Sequence, residues 1–422
     1  MRKIFVYLFL ATAFITQSYS QILWTKDPEN PVLKRGANGT WDDVQVGSPF
    51  IIYDGALYHM WYNGNDGSNT NIGYASSTDR IDWVKHPTPV LNHGSAGSWD
   101  NLYILHPTVY FDGTTYHMWY TGTNGSVAQI GYATSPDSIN WSKYSKNPVL
   151  TPGKPGSWDV QNVNSPEVLF IEGTFHMWYG GFNGTQEQIG HATSLNGIDW
   201  EKDTLNPVLK VGKIGSWDKV NSSQPSVLFD GTYFHMWYGD GSNFGWRIGY
   251  AYSEDGRIWH KVEINNPIME PGLAGDWDSK YVGYQTVCFN SDSTGFDMWY
   301  TGSAVNGYIG DIGYAATDTS NIFVDVEINK LNILSTEYSL FQNYPNPFNP
   351  TTKIKYQVPT AGLVSLRVYN LLGEVVASLV NEEKPAGNYE VNFNAANLSS
   401  GVYFYRISAG NFVETKKMIL LR

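Results

Sequence analysis

Cysteine is almost absent: Cys288 is the only one in 422 residues, so no disulfide framework can be built within the chain. It stands far from the N-terminus, which removes a lipid anchor on a newly exposed N-terminal cysteine and leaves it most simply a buried strand residue. Cationic residues are scarce and scattered, with 27 Lys and Arg against 39 Asp and Glu and a net charge of −12. Phosphate recognition depends on clustered Lys and Arg, so nucleic acid and anionic membrane surfaces are excluded as main partners. A long apolar run is missing too. Residues 4–15 fall short of the ~20 apolar residues that a membrane-spanning helix needs. Preceded by Arg2 and Lys3 and followed by Ser18-Tyr19-Ser20, that run reads as an export signal over residues 1–20, with a mature chain from Gln21.

Glycine (42) and aromatic residues (16 Trp, 29 Tyr, 19 Phe) are plentiful. Such a balance suits an all-β protein with many turns and large packed side chains. The length exceeds what one core supports, so at least two domains are expected.

A Trp-Asp pair recurs at Trp41-Asp42, Trp99-Asp100, Trp158-Asp159, Trp217-Asp218 and Trp277-Asp278, a period of 58 to 60 residues. Each unit continues with a β-branched segment, a turn near Asp-Gly, a Met-Trp-Tyr strand, a Gly-rich loop, an Ile-Gly-Tyr-Ala strand and an outer strand such as "IDWVKH". Period-2 patterning and regular turns make each unit a four-stranded antiparallel sheet, and five of these around an axis form a five-bladed β-propeller. The outer-strand tryptophans fall at Trp24, Trp83, Trp141, Trp200 and Trp259, while the fifth unit has only Phe323 at the matching place. The N-terminal strand should therefore close the last blade and hide its edge. The propeller is assigned to residues 21–325, a linker to 326–337 and a small β-sandwich to 338–422.

In that sandwich "NYPNPFNP" (343–350), "YNLLGE" (369–374), "SGVY" (400–403) and Lys416-Lys417 resemble the C-terminal sorting domain of type IX secretion cargo. The resemblance implies the type IX machinery as a partner, passage across an outer membrane, removal of the domain, and release or surface attachment. Within the propeller, the "NPVL", "GSWD", "MWY" and "IGYA" segments resemble the arabinanase, levansucrase and invertase group, including glycoside hydrolase family 43. That group carries reactive carboxylates on the innermost strands of the first three blades. The matching positions here are Ser48, Thr108 and Asn164, none of them a carboxylate.

Repeats within one chain provide an internal control. Positions shared by all blades are explained by packing; polar positions that differ between blades are free to serve a ligand. The Met-Trp-Tyr columns and the Trp-Asp pairs fall in the first class, each Asp being expected to accept backbone N–H groups in a tight turn. His59, His117, His176 and His235, with Asp297 in the fifth unit, lie too far from the axis and from one another to share a metal and are expected to hydrogen-bond locally. Two columns differ from blade to blade: Ser48, His106, Ser165, Gln224 and Tyr284, and, two residues on, Phe50, Thr108, Glu167, Ser226 and Thr286. They are read as the ring around the axis.

Glu167 is the only carboxylate in those columns, whereas glycoside hydrolysis usually needs two. It is taken as the candidate acid, with Asp43, from a loop on the same rim, as the candidate base. Ser48, His106, Gln224 and Tyr284 in the ring, and Trp246, Arg247, Phe182 and Tyr308 on the rim, are candidate sugar-binding residues, since aromatic faces stack on C–H bonds while polar groups fix hydroxyls. Poly- or oligosaccharide is the expected partner, either cleaved or held by a non-catalytic, lectin-like surface propeller. A protein-interaction propeller would instead show a flat face without a pocket. No cofactor is expected, although a Ca²⁺ held by loop oxygens is compatible with the sequence, and the protein is expected to act as a monomer, secreted or at the cell surface.

Overall fold

A computed structural model describes residues 24–317, apart from 243–244, 263–265, 291–294 and 306–308, and residues 338–421, apart from 344–345, 347 and 386. The expected export signal, the linker and Tyr308 lie outside the described residues.

The first part is built from five four-stranded antiparallel units, of which the first two are joined into one sheet by a single parallel bridge between Thr70 and Tyr103. Blade 1 runs Gln45–Tyr53, Tyr58–Asn65, Thr70–Ser77 and Val84–Lys85, and blades 2 to 4 repeat it from inner strands Tyr103–Phe111, Asn162–Ile171 and Ser223–Phe229. Blade 5 supplies only Tyr281–Phe289, Phe296–Ser303 and Asp311–Thr317; its outer strand is Trp24–Lys26, paired antiparallel with Trp24 opposite Thr317 and Lys26 opposite Ala315. Inner strands touch their neighbours in turn, and that of blade 5 packs against that of blade 1. The ring is closed by the strand that the tryptophan spacing called for.

Two devices recur in all five blades. The Met-Trp-Tyr side chains are fully buried, and each outer-strand tryptophan meets the Met-Trp-Tyr tryptophan of the preceding blade edge-on, as in Trp141 against Trp61 and Trp24 against Trp237, with centroids 6.2 and 6.3 Å apart. Edge-to-face pairs add ~0.5–1.5 kcal/mol each beyond area burial. The Asp of each Trp-Asp pair differs from the turn acceptor expected. Its carboxylate is buried and takes a lysine from the outer strand and a tyrosine hydroxyl: Lys85 (2.6 Å) and Tyr62 (3.3 Å) for Asp42, and Lys26 (2.6 Å) and Tyr300 (3.1 Å) for Asp278. A buried charge needs such pairing, because leaving it alone costs ~3–5 kcal/mol.

The four histidines bond locally. His59, His117 and His235 meet the hydroxyls of Tyr74, Tyr132 and Tyr250, and His176 meets His191. Cys288 is half-buried on the inner strand of blade 5 rather than fully buried.

The second part packs Ser339–Leu340, Thr351–Val358 and Gly387–Asn394 against a sheet of Val375–Lys384, Gly362–Tyr369, Gly401–Ala409 and Phe412–Leu420. Alternation along Thr351–Val358 buries Thr352, Ile354, Tyr356 and Val358, of which the last three join a core with Leu366, Tyr405 and Ile407. This is the expected sandwich.

Candidate functional site: the axial cavity

Every inner strand breaks register once, between Gly47 and Phe50, Leu105 and Thr108, Asn164 and Glu167, Ser223 and Ser226, and Gly283 and Thr286. At each bulge stands a non-glycine residue with positive φ: Ser48 (47°), His106 (51°), Ser165 (47°), Gln224 (55°) and Tyr284 (50°). Left-handed backbone is costly for such residues and tends to gather where a bulge re-aims side chains for function. Here the bulges direct five side chains of four kinds into one ring.

That ring floors a cavity of 670 Å³, within the ~300–1,000 Å³ of small-molecule sites. His106 stacks on Tyr284 (4.9 Å, 16°) and Tyr284 on Trp246 (5.7 Å, 25°), so an aromatic pile from blades 2, 5 and 4 crosses the floor. His106 Nδ1 lies 3.0 Å from Ser165 Oγ, and burial pushes the imidazole down to about 3, which keeps it neutral. The ring backbone is held from the preceding blade: Asn63 Oδ1 accepts the His106 N–H (3.0 Å), Thr121 Oγ1 that of Ser165 (2.8 Å) and Thr301 Oγ1 that of Ser48 (2.8 Å).

The wall is built where third strands begin, by Thr70, Ala128, Glu187 and Trp246. Glu187 Oε1 accepts the Asn164 side-chain amide at 2.7 Å, and its backbone N–H donates to Asn221 Oδ1 at 3.2 Å. Burial pushes the Glu187 carboxyl up, and the Asn164 bond partly offsets this. Among the described lining residues Glu187 is the only carboxylate, and none is Lys or Arg.

Ser48, His106, Gln224, Tyr284 and Trp246, all expected to bind a sugar, come together in this cavity. Other candidates do not reach it. Glu167 lies beneath the ring in a separate hollow of 40 Å³, closed in by the prolines of four blades. Its Oε1 accepts the Val227 N–H (3.3 Å), just as Thr108 Oγ1 accepts that of Val168 (3.3 Å) and Ser226 Oγ that of Val287 (3.0 Å). Glu167 therefore latches blade 3 to blade 4, and burial raises its carboxyl to about 8. Asp43 accepts the Gly39 N–H (2.6 Å) in its own turn and lines neither space. Phe182 and Arg247 also lie outside the cavity lining; Arg247 Nε is 3.6 Å from Glu270.

Glu187 and Asn221 were not among the candidates read from the sequence, and Asn164 entered only as a position that matches a reactive carboxylate of the resembling group. The same blade-to-blade comparison, applied to the residue two before each Ile-Gly, reads Thr70, Ala128, Glu187, Trp246 and Gly310 and would have exposed the one carboxylate. Among the described residues no group of three or more His, Cys, Asp or Glu is placed to hold a metal ion.

Comparison with known families fits both parts. The secretion system C-terminal sorting domain matches residues 342–421, and the glycosyl hydrolases family 32 N-terminal domain matches residues 48–218. The chain joins a glycosidase-type propeller to a secretion sorting domain. The glycosidase-type propeller is similar to an uncharacterized protein of Mycobacterium tuberculosis, 27% identical over 254 residues that cover 56% of this chain and 80% of that one. A 1,2-beta-oligomannan phosphorylase of Thermoanaerobacter sp. is 26% identical over 208 residues, covering 46% of this chain and 63% of the phosphorylase. A thermostable family-43 glycoside hydrolase superposes with a TM-score of 0.56 at 18% identity, covering 69% of this chain and 94% of the hydrolase. At that identity the likeness establishes the fold.

Proposed function

We propose that the axial cavity binds an uncharged glycan without hydrolysing it, on a protein sorted to the cell surface or exterior. The observation that carries this is the charge inventory of the lining: one carboxylate and no cation among the described residues. Hydrolysis usually uses two carboxyl groups, ~5–5.5 Å apart for retention or ~6.5–9.5 Å for inversion. Phosphorolysis needs Arg or Lys to hold phosphate. The lining supplies neither set, but it does supply what holds a sugar: the Trp246 and Tyr284 faces, and the amides of Asn63, Asn164, Asn221 and Gln224. An anionic sugar would lose hydration there and find no counter-charge. The glycan-acting name of the Thermoanaerobacter relative and the sorting domain support the same reading.

One observation favours catalysis instead. Asn164, at the position where the resembling hydrolases carry Glu, holds the Glu187 carboxyl 2.7 Å from its amide. Calorimetric titration of the full chain with neutral and uronate oligosaccharides, beside assays of reducing-sugar release, separates the two. Binding of a neutral glycan without release supports the proposal. Release that disappears in Glu187→Gln overturns it in favour of an enzyme.

A further inference from the structure

Blade 4 departs from its sisters at a place that is glycine in all four of them. Gly64, Gly122, Gly181 and Gly302 lie so close to the tryptophan of the Trp-Asp pair that an added Cβ would fall 2.0, 2.4, 2.2 and 2.5 Å from its ring. Blade 4 carries Asp240 there. Its side chain is 1% exposed, and Oδ2 has no hydrogen-bond partner among the described residues, an expensive arrangement for a carboxylate. Oδ1 is used: it accepts the Asn221 N–H at 2.8 Å. Asn221 in turn accepts the Glu187 N–H, and the Ser222 N–H donates to the Glu187 carbonyl at 2.9 Å.

The neighbouring seam serves as a control. Between blades 2 and 3, Asn162 Oδ1 accepts the Ala128 N–H at 2.8 Å, with Gly181 at the place of Asp240. This seam thus closes without an aspartate when its wall residue is Ala128. The extra anchor occurs where the wall residue is Glu187. Resting on the glycan-binding reading above, we propose that Asp240 is a positioning residue of the axial site, holding Asn221 and through it Glu187 in the geometry that meets the ligand. The fold does not need it, and the site does.

The test uses the full chain and two variants. Asp240→Gly restores the residue of the four sister blades; Asp240→Asn keeps an oxygen for the Asn221 N–H. Each is titrated with the neutral disaccharides mannobiose, sucrose, arabinobiose and xylobiose, and its unfolding is followed by tryptophan fluorescence. The proposal expects cooperative unfolding in both variants, affinity weakened about tenfold in Asp240→Gly, and affinity within about threefold of native in Asp240→Asn. Native affinity in Asp240→Gly overturns it, as does an Asp240→Asn variant as weak as Asp240→Gly. An Asp240→Gly chain that does not fold also overturns it, because the fold would then need the aspartate. If the native chain binds none of the four sugars, the glycan-binding reading fails first and this inference falls with it.

Discussion

Glu167 offers the sharpest test of the two-layer axis. Its carboxyl is 7% exposed, and burial raises it from an ordinary 4.5 to about 8 while the Val227 N–H partly opposes the rise. The folded chain therefore keeps the proton across a pH range in which the unfolded chain gives it up. Stability tied to that proton is fully present below pH 4.5 and is lost as pH rises towards 8, on the order of 5 kcal/mol in all. Glu167→Gln keeps an oxygen for Val227 and abolishes the titration. At pH 5 the variant should match the native chain to within ~1 kcal/mol. At pH 8 it should be the more stable by several kcal/mol, which for a domain of this size means a melting point higher by about 8 °C. All 16 tryptophans lie between Trp24 and Trp299, so their fluorescence follows the propeller without interference from the sandwich. A variant that unfolds with the same pH dependence as the native chain, or is weaker at every pH, would refute the buried, protonated latch.

Three further outcomes follow from the same geometry. Lys26→Ala strands the buried Asp278 and should cost ~3–5 kcal/mol in thermal or urea unfolding, whereas Arg35→Ala, which breaks the exposed pair with Asp311, should cost less than ~1 kcal/mol. His106 and His176 are held neutral, at about 3 and about 4, so their stabilisation is present above the ordinary 6.5 and lost as pH falls through that window; His106→Gln should flatten the acid limb of a melting-point profile. Because burial raises the Glu187 carboxyl, ligand affinity of the native chain should vary with pH, and Glu187→Gln should remove that dependence in calorimetric titrations across a pH series.

The architecture was legible because packing repeats: the Trp-Asp period marked five blades, and Trp24 standing ahead of the first unit marked the closing strand. Both are large side chains whose spacing survives translation into contacts. The site was legible only to one layer. Ser48, His106, Gln224 and Tyr284 were correctly grouped as an axial ring, but their separation from the Glu167 column depends on a bulge and a positive φ that no residue type announces. A two-residue offset along the strand therefore became a floor with a hollow beneath it. Asp43 looked free because its turn partner, the Gly39 N–H, is invisible in sequence. Glu187 was passed over, since its meaning lies in a bond to Asn164, 23 positions away and on another strand.

Closure of the ring also sets where load would cross between the two ends of the propeller chain. The chain leaves the propeller through Asp311–Thr317 on its way to the sorting domain, and that strand is clasped on its outer side by the N-terminal segment, through the Trp24–Lys26 pairing, the Asn30 bonds to Tyr314 and the Leu33–Ile312 bridge. If the chain is attached to a surface on the C-terminal side of the propeller, drag on a bound polysaccharide is transmitted along this strand. The Lys26–Asp278 contact and the Trp24–Trp237 joint then act as the buckle that keeps blade 5 from peeling away under load.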